Sequence, residues 1–129
     1  MTTRIGTIVG WICAILVAAF NLFAAVMKFI PVAPDSAGAL FMAKLGVTAG
    51  LEHVLGVLEF AIVILFLIPR TSTVGFVLMV GYFGGALATS LTHGLSNMDA
   101  MPVYVLFALL TISATFRNAE LLTRLLKKA

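Results

Sequence analysis

The sequence predicts an all-α integral membrane protein: an antiparallel bundle of four spanning helices with both termini in the cytoplasm. Three observations predict it. The chain is 62% hydrophobic and 10% charged, against about 45–50% apolar and about 25% charged in a soluble domain, so it cannot cover a water-facing surface. Four apolar runs approach the roughly 20 residues that cross a bilayer core about 30 Å thick. Lysine and arginine gather at one end of those runs, the pattern of a cytoplasmic face. For 129 residues one domain, residues 1–129, is the natural organisation, and no basic tract in a soluble fold points to nucleic acid.

The first span covers residues 5–27 and carries no charge. It exceeds the about 7–15 residues of a signal-peptide core and three spans follow it, so it reads as an uncleaved helix. IPVAPDSAG, residues 30–38, holds two prolines and cannot continue that helix. ALFMAKLG, residues 39–46, is apolar but too short to cross, and is expected to lie as an interfacial helix on the bundle mouth. The second span covers residues 48–68, and Pro69-Arg70-Thr71 turns it into the third, residues 73–91. A polar link follows, in which Asp99 is expected to cap a fourth span over residues 101–116, with Pro102 in its first turn. The tail, residues 117–129, places Leu121, Leu122, Leu125 and Leu126 on one face, a basic amphipathic segment suited to an anionic leaflet.

Orientation rests on the cations. Arg4, Arg70, Arg117, Arg124, Lys127 and Lys128 fall on one side and Lys28 and Lys44 on the other, which puts both termini of a multi-pass protein in the cytoplasm. Helices in lipid approach one another through small residues. Gly6, Gly10, Ala14 and Ala18 form such a ladder on the first span, and Gly81 and Gly85 a GxxxG on the third.

GLEHVLGVLEF, residues 50–60, sets Glu52 and Glu59 seven residues apart in an otherwise oily span, on one face and two turns apart. At a rise of about 1.5 Å per residue, Glu59 lies roughly 13–14 Å from the inner end, and Tyr82 on the third helix reaches a similar level. Asn21, Glu52 and Thr89 sit higher, and Lys28 and His93 lie near the outer mouth. The polar groups thus climb from mid-membrane to the outer surface. A carboxylate at the centre costs about 2.5–3.5 kcal/mol, so Glu59 must face protein or trapped water. It is expected to be neutral unless a cation reaches it, and to donate to Asn21, a backbone carbonyl or a ligand carbonyl. Glu52 is expected to pair with Lys28 or His93. No HxxxH or Glu-x-x-His pair points to a metal, and the single Cys13 excludes a disulfide within the chain.

Three stretches together resemble the DoxX-like family of small bacterial membrane proteins: AAVMKFI at residues 24–30, MAKLGVTAGLEHVLGVLEFAIVILFLIPRT at 42–71, and VGYFGGALATSLTHG at 80–94. The resemblance implies a four-helix bundle. It also implies a place beside membrane redox systems, the namesake being associated with a complex that passes electrons from sulfur compounds to quinone. Lys28 and Glu59 match the family's lysine and glutamate, and Gly56 its helix glycine. Where members often carry a histidine, this chain has Ser90, with His93 three residues later.

The expected function is therefore an accessory subunit of a membrane redox system that binds a quinone or lipid-like molecule in an outer-half pocket. Glu59 would be the buried anchor, Asn21, Tyr82 and Thr89 its neighbours, and Glu52, Lys28 and His93 the gate. The chain holds no group that carries electrons, so catalysis by it alone is not expected. Two alternatives stand beside this one. The chain would be a scaffold or assembly factor, alone or as a homo-oligomer, acting through the Gly81/Gly85 face; or a proton-coupled transporter with Glu59 as carrier.

Overall fold

The computed structural model describes residues 4–127, which form six helices and no strand among them. Lys128, counted above among the cations, lies outside the described residues, as do the side chains of Leu122 and Leu125 on the tail face. The helices are α1 (Arg4–Met27), α2 (Ala37–Lys44), α3 (Ala49–Leu67), α4 (Ser72–Thr92), α5 (Met101–Arg117) and α6 (Ala119–Leu126). Three of them, α1, α3 and α4, are long and apolar enough to cross a membrane, and α5 is a shorter apolar helix of 17 residues. Large apolar side chains point outward all round: Ile5, Ile8, Ile12 and Ile15 on α1, Val54, Val57 and Ile64 on α3, Val74 and Val77 on α4. Apolar surface on this scale is tolerated against lipid and not against water. This is a multi-pass membrane protein.

Local chemistry sets the helix ends. Ser36 caps α2 by accepting from the Ala39 N–H at 3.2 Å, and Thr48 caps α3 by accepting from the Leu51 N–H at 3.3 Å, each satisfying an orphan donor of a first turn. Both α2 and α4 stop in a glycine of left-handed φ, Gly46 at +76° and Gly94 at +85°. After α2 the Val47 N–H returns to the Met42 carbonyl, and after α4 the Leu95 N–H returns to the Ser90 carbonyl, the hydrogen-bond pattern of a glycine-closed C-terminus. Asp99 does not cap α5. Ala100 occupies that position without a side-chain bond, and the Asp99 carboxylate accepts instead from the Ser96 N–H and hydroxyl.

Packing runs in a ring: α1 against α3 and α5, α3 against α4, and α4 more sparsely against α5. The ladder on α1 is buried as its small residues require. A Cβ on Gly10 would lie 2.9 Å from the Phe116 Cβ, and Ala14 and Ala18 enter the core. Gly56 receives the Phe29 ring, whose Cε2 would be 2.7 Å from an added Cβ; the same ring stacks on His53 with centroids 5.4 Å apart.

Gly81 and Gly85 depart from the expectation for helix packing. A Cβ at either would meet nothing within 4 Å, because α4 separates from its neighbours there. Contact is closest instead at Gly75, where a Cβ would fall 2.3 Å from the Phe66 backbone N. Gly81→Ala and Gly85→Ala are therefore expected to melt at or slightly above the parent temperature, since alanine gains helix propensity and meets no obstacle; thermal unfolding in detergent checks this.

The end of the bundle away from α2 is closed by polar bonds. Arg117 donates to the Leu67 carbonyl at 2.9 Å and lies over the Trp11 ring at 4.2 Å, so it satisfies a helix C-terminus while its charge rests on an aromatic face. Asn118, which separates α5 from α6, donates to the Ser72 hydroxyl at 2.7 Å.

Candidate functional site

A cavity of about 790 Å³ opens at the α2 end of the bundle. Every helix from α1 to α5 contributes to its wall: Phe20, Asn21, Ala24 and Lys28 from α1, Phe41 and Met42 from α2, Leu51, Leu55 and Glu59 from α3, Gly81, Tyr82, Gly85 and Thr89 from α4, Pro102, Val103 and Leu106 from α5. It exists because α4 stands away from its neighbours along Gly81 and Gly85 and because α2 roofs the mouth without packing into the core. None of the α2 side chains is buried. The floor is the apolar core, with Phe83 edge-on to Phe107 at 5.7 Å and Ile62, Val63, Phe66, Met79 and Leu110 beyond.

A cluster of three bonded polar side chains interrupts the mainly apolar wall. Glu59 is 3% exposed. Its Oε1 accepts from the Lys28 ammonium at 2.5 Å and from the Tyr82 hydroxyl at 2.5 Å. Lys28 also reaches the Ala24 carbonyl at 3.4 Å, and its side chain is 10% exposed. Glu59 Oε2 is buried with no hydrogen-bond partner among the described residues. Three helices thus deliver one group each: Lys28 from just past the end of α1, Glu59 from mid-α3, Tyr82 from mid-α4.

Expectation and geometry part at Lys28. A cation does reach Glu59: the Lys28 ammonium pairs with its Oε1, the condition under which the neutral acid was not expected. Lys28 is correspondingly unavailable to Glu52. The depth arithmetic placed Lys28 at the outer mouth by its Cα, but a lysine stem extends well beyond its backbone position, and here it runs inward. Glu52 sits half-buried in the first turn of α3 and is not among the residues that line the cavity, although its neighbour Leu51 is. Asn21 is on the wall, but its amide donates to the Val17 carbonyl of its own helix at 2.8 Å. Thr89 and His93 line the same side toward the rim. The His93 Nδ1 lies 2.8 Å from the Thr89 carbonyl. A carbonyl only accepts, so Nδ1 carries the proton and Nε2 presents a lone pair when the ring is neutral.

Residues of the cavity that reasoning along the chain did not single out include Met42 and Leu45 on the α2 side, Leu51 and Leu55 on α3, and Val103 and Leu106 on α5. The signal for those on the α2 side was the short apolar stretch before KLG, too short to span and too oily for a solvated loop. Asp99 is at the rim. The Ser96 backbone N–H and hydroxyl hold its carboxyl below the usual carboxylate range, because both bonds favour the charged form. The sign follows. A lowered folded-state value means that this loop contact is present above the ordinary carboxylate range and is lost as pH falls through the lowered value. A carbon-13 carboxyl titration is expected to place the Asp99 midpoint below the ordinary aspartate range.

Compared with known proteins, the chain matches the model of the DoxX-like family over residues 12–113. That segment contains Lys28, Glu59, Tyr82 and the whole cavity wall. No curated protein matches the chain, and no solved structure does.

Proposed function

The chain belongs to the DoxX-like family, and from that premise we propose that it binds a quinone or lipid-like molecule in the α2-end cavity as an accessory subunit of a membrane redox system. In this reading residues 1–129 are one four-span domain in a bacterial inner membrane, with the termini and the Arg70 turn in the cytoplasm and the cavity in the outer half. The observation that carries the reading is a buried polar cluster, Lys28–Glu59–Tyr82, beside about 790 Å³ of mainly apolar and aromatic space, with Asn21, Thr89, Ser90 and His93 as further polar residues on the wall. Ligand pockets are concave, roughly 300–1,000 Å³ in volume, largely apolar, and carry a few converging polar groups that orient the guest. Electron transfer itself would belong to a partner protein, since the cavity offers binding and orientation.

The test is chemical. Full-length protein purified in mild detergent is expected to retain a quinone or lipid after washing, identified by mass spectrometry of an organic extract. Ala86→Phe, which projects a ring into the cavity from α4, is expected to release most of it while the bundle stays folded. An empty parent protein, or equal retention by Ala86→Phe, contradicts the reading.

A second reading has its own observation. The open strip along Gly81, Gly84 and Gly85 suits a partner helix that seats against α4, as a scaffold or a homo-oligomer would require. Gly81→Leu with Gly85→Leu would then abolish co-purification of that partner. The transport reading has less behind it. Between Glu59 and the Arg117 end lie Ile62, Val63, Phe66, Met79 and Leu110, a mainly apolar plug in which the buried Ser113 hydroxyl is a rare polar group among the described residues.

A further inference from the structure

Successive residues of a helix turn by about 100°. On α4, Tyr82 reaches α3 through its bond to Glu59, and the next residue, Phe83, reaches α5 through its edge contact with Phe107. Gly81, one step the other way, therefore faces past α3 toward the outside of the bundle, and Gly85 falls between Gly81 and Tyr82. Below them on that face, Val74, Val77 and Leu78 are exposed to lipid. Those three do not line the cavity, whereas Gly81 and Gly85 are exposed and do. A Cβ on either glycine would meet nothing within 4 Å. On α3, Leu51 is likewise both exposed and on the cavity wall, with the half-buried Leu55 one turn further in. Nearer the Pro69 turn the two helices touch, at Gly75 against Phe66 and at Tyr82 on Glu59. The α3–α4 hairpin is thus closed toward its turn and splayed beyond Tyr82.

We infer that the cavity is filled sideways from the bilayer, through a slot between α3 and α4 framed by Leu51, Leu55, Gly81 and Gly85, and that its guest is an amphiphile with a long apolar chain. The inference rests on the cavity being a binding site, and it deepens that reading by giving the entrance and the class of guest. Depth favours it. Gly81 and Gly85 bracket Tyr82, midway along a helix long enough to span, where the surroundings are acyl chains and not water. Continuity favours it as well. The slot interrupts a lipid-facing surface, so a chain passes from bilayer to cavity without leaving an apolar medium. The end-on route is roofed: α2 covers the mouth, and the turn that ends it sits on His93, whose Nε2 would be 3.4 Å from a Cβ on Gly46. Glycine suits the frame because any larger residue there would narrow the gap, while the close helix contact that small residues otherwise serve is absent at both positions. A small water-soluble molecule has no use for an opening at this depth.

The experiment uses the full chain, a single copy per phosphatidylcholine nanodisc, and a lysophosphatidylcholine whose acyl chain carries a diazirine at its midpoint. After irradiation, mass spectrometry maps the adducts. The parent protein is expected to carry them on Leu55 and Leu106 inside the cavity as well as on the outward Val57, Ile64 and Val74. Gly81→Leu with Gly85→Leu is expected to lose most of the cavity adducts and to keep the outward ones, which also report that the bundle is folded. Gly84→Leu, on the same helix but off the cavity wall, is expected to lose neither. A second probe, a charged diazirine without a chain, is added to the water and is expected to leave the cavity of the parent protein unlabelled, so the route is read even if the double variant does not fold. Cavity adducts that survive the double variant, or that the chainless probe forms as readily, overturn the side entrance and leave the cavity a binding site. A parent protein labelled on its outward residues alone overturns both.

Discussion

Gly75→Ala is expected to destabilise the bundle by at least about 3 kcal/mol, the upper part of the range for overpacking a close contact. The added Cβ would lie 2.3 Å from the Phe66 N and 2.4 Å from its Cα. These are backbone atoms of α3, so no rotamer change relieves the clash and the two helices must move apart. Phe66 and Met79, both fully buried on these helices, would lose their fit together. Thermal or denaturant unfolding in detergent reads the effect. Gly84→Ala is the matched control, nine residues along the same helix, where a Cβ meets nothing within 4 Å. Equal stability of the two variants would contradict the close approach of α3 and α4.

Lys28→Met is the second large effect. It leaves Glu59 buried with only the Tyr82 hydroxyl for a partner, and stranding one half of a buried pair costs about 3–5 kcal/mol. The double variant Lys28→Met with Glu59→Leu removes the charge that was stranded, and replacing a buried pair by apolar groups of similar volume is often near neutral. Most of the loss is therefore expected to return in the double variant. Strictly additive losses would mean that the two side chains do not interact. The recovered protein is also informative about function, because a stable bundle without the cluster is expected to lose its guest molecule. Stability and binding would then separate cleanly across the parent, Lys28→Met, Glu59→Leu and the double variant.

The contrast between Gly75 and the Gly81/Gly85 pair shows where the sequence was readable. The helices were legible because a bilayer demands long apolar runs, and α1, α3, α4 and α5 begin and end within a residue or so of those runs. The meeting of Glu59 with Tyr82 followed from counting rise along two antiparallel helices. Lys28 escaped the same arithmetic because rise locates a Cα and not the end of a flexible stem. Close helix contact was sought in a repeated small-residue motif, whereas the closest approach uses an isolated glycine. Whether a glycine is a contact or a gap depends on what the neighbouring helix places opposite, and Gly75 faces the Phe66 backbone just across the turn. Arg117 looked like a cytoplasmic stop charge. Its bond to the Leu67 carbonyl depends on α3 ending beside α5, which no local pattern encodes.

The most direct measurement is an experimental structure of the full chain purified from its native membrane with lipid retained. The account predicts Lys28 and Tyr82 both on Glu59 Oε1, and elongated density filling the cavity beside that cluster. A cavity collapsed by Phe41 and Met42, or Lys28 extended to the headgroups with Glu59 turned from Tyr82, would contradict it.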